Sequence, residues 1–178
     1  MKSKYAPICV FTYKRFDHTK KMMEALANNS IAKESDLFIF CDNYKTDKDK
    51  EAVEKVHDLI KGYQNDTRFN TVTITFAQSN KGLARSIIDG ATQIIEEYGR
   101  VIVLEDDLIT SADCLEYFNS CLDFYDKDNT IWSISGYSFP MQALNHYKND
   151  VYLSPRGCSW GWATWKDRWE KVDWEVSD

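Results

Sequence analysis

The chain has 178 residues, 43% hydrophobic and 14% aromatic, a size and composition suited to one domain that buries a core of its own. Its 22 basic and 28 acidic residues leave a net charge of -6. No Lys/Arg-rich block stands out, which argues against a nucleic-acid surface built on phosphate neutralisation, so a small anionic ligand would need individually placed cations.

Met1-Lys2-Ser3-Lys4 leads into a short apolar stretch, Ile8 to Phe11, well below the ~7–15 residues of a signal-peptide core or the ~20 of a membrane span. The expectation is a cytoplasmic protein, although an anchor removed from the sequence would leave no trace. Pro7 to Thr12, Leu37 to Cys41 and Val101 to Leu104 are apolar runs that stop abruptly at polar or charged residues. That pattern marks strands covered on both faces. Helical spacing predicts helices over Asp17 to Asn28, over Asp47 to Tyr63 (Val53, Val56, Leu59, Ile60, Tyr63) and over Lys81 to Tyr98 (Leu83, Ile87, Ala91, Ile94, Ile95), the last stopped by Gly99. Between the second and third, Val72, Ile74 and Phe76 alternate with threonines, as in a strand with one face less buried, towards a sheet edge.

Thr46-x-x-Asp49 and Thr110-x-x-Asp113 have the form of capping boxes with a shortened acid, the second ahead of a helix through Leu115, Phe118, Cys121, Leu122 and Tyr125. A further strand fits Ile131 to Ser135. Near the C-terminus, Trp162, Trp165 and Trp169 share the spacing of one helix face. Trp160, between Ser159 and Gly161, is the better placed for stacking on a ligand. Cys9, Cys41, Cys114, Cys121 and Cys158 form no C-x-x-C pair and read as reduced thiols, the first four in the core.

Alternating strands and helices imply an α/β fold: a mostly parallel open sheet with helices on both faces, as one domain over residues 1–178. Ligands bind such sheets at the carboxyl ends of the strands, near the topological switch point. Attention therefore falls on Thr12-Tyr13-Lys14-Arg15, on Asp42-Asn43 and on Glu105-Asp106-Asp107. Alternation along the last strand places Glu105 and Asp107 on one face and Asp106 on the other. Unpaired acids this close repel; a divalent cation preferring oxygen ligands, Mn2+ or Mg2+, would relieve the repulsion and grip a diphosphate. His18, His57 and His146 are too scattered for a zinc site.

The run Val101 to Tyr117, VIVLEDDLITSADCLEY, resembles the metal-site segment of the GT-A-fold N-acetylglucosaminyltransferases that initiate complex N-glycans, and of related bacterial glycosyltransferases. PICVFTYKR (Pro7 to Arg15), Phe40-Cys41-Asp42, Gly82-Leu83-Ala84-Arg85 and GCSWGWATW (Gly157 to Trp165) are similar to further segments of that family in the same order. The resemblance implies a GT-A, Rossmann-like domain of a metal-dependent inverting glycosyltransferase. Its donor would be a nucleotide-sugar, plausibly a UDP-sugar, and its acceptor a saccharide or a lipid-linked molecule that brings the protein to a membrane periphery. By the same resemblance Asp107 binds the metal and Glu105 and Asp106 contact donor hydroxyls. Thr12 lies in the nucleotide loop, Arg15 meets the nucleotide and Asp42 accepts from uracil. Lys81 and Arg85, with backbone N–H groups at the start of their helix, would support the diphosphate.

The family's catalytic base follows the glycine-aromatic segment, where Asp173 is the nearest match, so a C-terminally truncated acceptor-binding part is expected. Plainer readings stay open: solvent-facing acids, Arg15 and Lys81 as surface cations, Asp42 as a turn former, Arg85 paired with Asp89. At the level of function the alternatives are a noncatalytic nucleotide-sugar-binding module and a sugar nucleotidyltransferase.

Overall fold

The apolar runs become the inner strands. In the computed structural model, which describes residues 3–175, β1 (Ile8–Thr12) is buried at every residue. Its alternating side chains feed two cores. Ile8 and Val10 join one cluster, Cys9 and Phe11 the other. Beside it lie β2 (Asp36–Cys41), β3 (Thr71–Phe76) and β4 (Arg100–Glu105). Among the described residues six strands form one sheet in the order β3-β2-β1-β4-β6-β5, with β5 (Ile134–Ser135) and β6 (Trp162–Trp165) completing it. The first four strands are parallel, whereas β6 runs antiparallel to both β4 and β5. β3 takes the edge, as its alternating threonines predict.

The helices cover both faces. α1 (Phe16–Ala27) and α4 (Cys114–Phe124) place Met22, Met23, Leu26, Leu115, Phe118 and Leu122 in the first cluster, which α2 (Asp47–Lys61) joins through Val56 and Ile60. α3 (Leu83–Tyr98) packs Ala91, Ile94 and Ile95 into the second, with Trp169 from α5 (Lys166–Trp169). Gly99 ends α3 in the left-handed region at φ 78, its N–H on Ile95 O at 2.8 Å, as expected of a C-terminal stop.

Two local expectations are corrected. Trp162 and Trp165 belong to strand β6, not to a helix, so they face opposite sides of the sheet. Trp165 enters the first core, while Trp162 stacks on Trp169 with ring centroids 5.5 Å apart. Cross-strand pairing with β4 overrides a spacing that four residues were too few to establish. Neither capping box closes on a helix N–H. The Thr46 hydroxyl bonds the Asp49 carboxylate at 2.9 Å, and Lys14 takes its other oxygen at 2.6 Å. At α4 the cap comes from a distant residue, with Leu115 N donating to Asn29 Oδ1 at 3.0 Å. The five cysteines are free thiols, Cys9, Cys41 and Cys121 buried, Cys114 and Cys158 half-buried.

Asp36, buried at the start of β2, accepts hydrogen bonds from Ser3 N, Asn70 Nδ2 and Thr71 Oγ1 at 3.0, 2.6 and 2.8 Å. Burial alone would push its pKa up, but these bonds outweigh that and hold it below the ordinary value. A lowered folded-state pKa stabilises the protein above the unfolded value of about 3.9 and loses that contribution as pH falls through the folded value. Asp36→Ala is expected to cost about 1–3 kcal/mol at neutral pH by stranding buried donors. Urea titrations should show the gap between variant and wild type closing below about pH 4; a gap unchanged at acid pH would contradict the ionised role.

Candidate functional site

The order of the sheet reverses between β1 and β4, and there the carboxyl ends of the two strands open a crevice. β1 delivers Thr12 through Arg15 to one side, β4 delivers Glu105, and Asp106 and Asp107 follow in a turn. Because the chain leaves extended conformation after Glu105, strand alternation no longer separates Asp106 from Asp107. Arg15 gathers both. Its Nε and Nη2 donate to Asp106 Oδ1, the former at 3.0 Å, and its Nη1 donates to Asp107 Oδ2 at 2.9 Å.

The two acids differ in kind. Asp106 is 2% exposed and also accepts from Tyr13 N at 3.3 Å, so in this structure it binds the chain to itself rather than facing a ligand. Asp107 keeps 38% of its side chain exposed and Arg15 keeps 47%. An exposed pair of that sort is worth no more than about 1 kcal/mol; the buried carboxylate depends far more on its partner. Burial works against the charge on Arg15, but Asp106, Asp107 and Glu105 outweigh it and raise its pKa further. Glu105 is half-buried and makes no hydrogen bond or ion pair through its carboxyl among the described residues. Burial first, then the charge of Asp107, raises its pKa. The picture of three unpaired, repelling acids is thus corrected: a guanidinium already compensates two of them.

Further along the rim, Asp42 is buried at the end of β2. Its Oδ1 accepts from Asn43 N and Lys81 N at 2.8 and 2.9 Å, its Oδ2 from Asn80 Nδ2 and Gly82 N, both at 2.9 Å. The backbone N–H groups of Lys81 and Gly82, expected free for a phosphate, are therefore taken by an internal carboxylate that reaches them first. Lys81 and Arg85 converge on Asp89, at 3.0 and 2.8 Å, the i,i+4 pairing that the sequence left open for Arg85. Behind Asp42 a recess of about 90 Å³ is lined by Phe40, Thr75, Lys81 and Gly90. Thr12 is buried, with its Oγ1 lacking a hydrogen-bond partner among the described residues.

On the other side of β4, Gly161 sits at φ 74, and a side chain there would press on Leu104 at 3.2 Å. Glycine is needed on both counts. Gly136 N donates to Gly161 O at 2.8 Å, which brings two loops together. Trp160 is 49% exposed and packs with the exposed rings of Tyr137 and Phe139, at 4.7 and 5.6 Å between centroids. Those two rings went unread in the sequence, where Tyr137 and Phe139 merely alternate after Gly136. Asn80 and His57 were also missed: His57 Nε2 lies 3.0 Å from Asp42 O, an i,i+15 contact that no local pattern announces.

Asp173 is exposed, its Oδ1 accepting from Glu175 N at 3.0 Å. No hydrogen bond or ion pair among the described residues ties it to the acids of the rim. Its neighbours Val172 and Trp174 line a cleft of about 310 Å³ with Trp132, Trp162 and Trp169. This cleft is larger than the recess behind Asp42, yet none of Arg15, Asp42, Glu105 and Asp107 lines it. Charged side chains gather instead at the crevice, where Arg15 and Asp107 are both partly exposed.

A sheet parallel through its first four strands, with its switch point between β1 and β4 and acids and an arginine at that point, has the layout of the GT-A fold. The chain belongs to the GNT-I family, whose model matches residues 1–175. No curated protein sequence matches it. Among solved structures it is similar to S. aureus TarS, at 16% identity and a TM-score of 0.52 over 68% of this chain and 20% of that one. It is also similar to the mannosyltransferase PcManGT from Pyrobaculum calidifontis, solved in complex with GDP-Man and Mn2+, at 14% identity and a TM-score of 0.47 over 76% and 38% of the two chains. The chain thus spans about a fifth of the length of TarS, and that likeness speaks for the fold alone.

Asp42→Ala would leave three backbone N–H groups without their acceptor and the Asn80 amide with Asn43 O alone. A loss of about 1–3 kcal/mol is expected, with faster amide hydrogen exchange at Lys81 and Gly82 read by NMR. Unchanged exchange at both amides would mean that another contact holds this loop.

Proposed function

We propose that this domain binds a nucleotide-sugar, a UDP-sugar, across the crevice between β1 and β4 and serves an inverting glycosyltransferase. What supports this most is the meeting of Arg15 with Asp106 and Asp107 at the switch point, in a chain whose family is GNT-I. Arg15 offers paired N–H donors to a diphosphate. The recess behind Asp42 would take the base. To accept a pyrimidine N–H, Asp42 would release the Asn80 amide, the one donor of its four that is not fixed in the backbone. Glu105, open and half-buried, is assigned to donor hydroxyls. Asp106 is assigned to holding Arg15, and Lys81 and Arg85 to the diphosphate side once Asp89 lets go.

A divalent cation, Mn2+ or Mg2+, belongs to this reading. Among the described residues no three His, Cys, Asp or Glu side chains converge as a cage. Such ions are commonly held by one or two carboxylates, with waters and substrate phosphates filling the shell, and the donor set fits that pattern. Asp107 has an oxygen to spare, Glu105 is near, and a guanidinium already stands where positive charge is wanted. Bound there, the cation would stabilise the charge of the departing diphosphate.

In the transfer, an acceptor hydroxyl oxygen bonds to the anomeric carbon from the face opposite the diphosphate. The carbon–oxygen bond to the diphosphate breaks, its electron pair leaves with the nucleotide, and the hydroxyl proton passes to a carboxylate. We assign that carboxylate to Asp173 and the stacking of a sugar ring to Trp160. A saccharide acceptor would approach over Trp160. A lipid-linked one would bring the domain to a membrane surface; among the described residues no helix is long and apolar enough to cross one.

Calorimetry with UDP-sugars, with and without Mn2+, tests the reading. Binding is expected to need the metal and to weaken about tenfold or more, ~1.4 kcal/mol or above, in Asp107→Ala. Equal affinity of both proteins would reject the assignment. Binding without nucleotide release on addition of acceptors would leave a noncatalytic module.

A further inference from the structure

We infer that Arg15 is the resident counter-ion of the donor site, and that metal and donor enter together by exchanging it: the guanidinium lets go of Asp107, keeps Asp106 and turns to the diphosphate. The inference rests on the function proposed above and concerns the order in which that site fills.

The asymmetry of the three contacts carries it. Towards Asp106, Arg15 presents two donors to an oxygen of a buried carboxylate that Tyr13 N, just past the end of β1, also holds. That end is fixed. Towards Asp107 a single Nη1 donor reaches an exposed carboxylate, and the guanidinium itself is half in solvent. That end is loose. The guanidinium can therefore turn about its Asp106 contact with no buried charge left unpaired.

Charge then couples the ligands. A divalent cation arriving alone at Asp107 meets the positive guanidinium, or must displace it into water. Arriving with a diphosphate, it brings the anion that the displaced Nη1 needs. The metal alone should bind weakly, and each ligand should strengthen the other by the same factor, as linkage requires.

The test uses Mn2+ and UDP as probes, with Mn2+ binding read by electron paramagnetic resonance on the free protein. Arg15→Gln is expected to bind Mn2+ alone about three- to tenfold more tightly than wild type, because Asp107 is released. UDP is expected to bind more weakly, and the enhancement of Mn2+ binding by UDP to shrink. Arg15→Lys keeps a charge beside Asp106 but lacks the fork that spans both acids. It should show a gain in the same direction but a smaller one, since the charge remains, and covers the case in which Arg15→Gln does not fold, as judged by circular dichroism. A folded variant that binds Mn2+ no better than wild type, or that keeps the full enhancement by UDP, overturns the inference. Failure of the underlying reading looks different: wild-type UDP binding then ignores Mn2+, or adding Asp107→Ala to Arg15→Gln leaves the metal affinity unchanged.

Discussion

Everything at the crevice depends on β1 and β4 lying side by side, buried on both faces. Apolar side chains fill the middle of both strands, so polar chemistry is expelled to their ends. There the two ends must share one small space. Arg15 comes from one strand and the acidic turn from the other, and the ion pair between them closes the sheet's polar margin. The same contact that completes the fold supplies the charge on which a donor site can be built.

A recurrent theme is self-occupation. Asp42 fills the N–H groups ahead of α3, Asp89 draws in Lys81 and Arg85, and Arg15 neutralises the acidic turn. Each arrangement puts an internal charge where a ligand's opposite or like charge would otherwise be expected. Buried or half-buried charged groups are costly when unpaired, so a site that must hold charge compensates itself when empty. Reading such a rim as a row of open donors and acceptors overstates its readiness; reading it as inert overlooks that Asp107, Arg15 and Arg85 hold their partners in solvent.

The fold was legible because its signals are long. Five-residue apolar runs and fifteen-residue amphipathic stretches leave few competing readings, and β3, α2, α3 and Gly99 fell where periodicity placed them. The tryptophan segment misled because i, i+3, i+7 spacing matches one helix face, while pairing with β4, which no local pattern announces, makes Trp162–Trp165 a strand and leaves only Trp169 helical. At the rim, the sequence picks out Arg15, Asp42 and the acidic turn by their position after apolar runs. It does not show which charges meet. Arg15 and Asp106 are 91 residues apart, and Asn29 reaches Leu115 across 86. Such partners follow from the sheet order, and so does the trio of Tyr137, Phe139 and Trp160.

The reversed direction of β6 sets where that trio stands. Since β6 pairs antiparallel with β4, the loop entering it arrives at the same edge that the parallel strands exit. A parallel strand in that place would have sent the loop to the far end of the sheet, some 15–20 Å away for a strand of about five or six residues. One change of polarity thus gathers outgoing acids and incoming aromatic rings on a common margin, letting a small α/β layer present two chemically different neighbourhoods side by side.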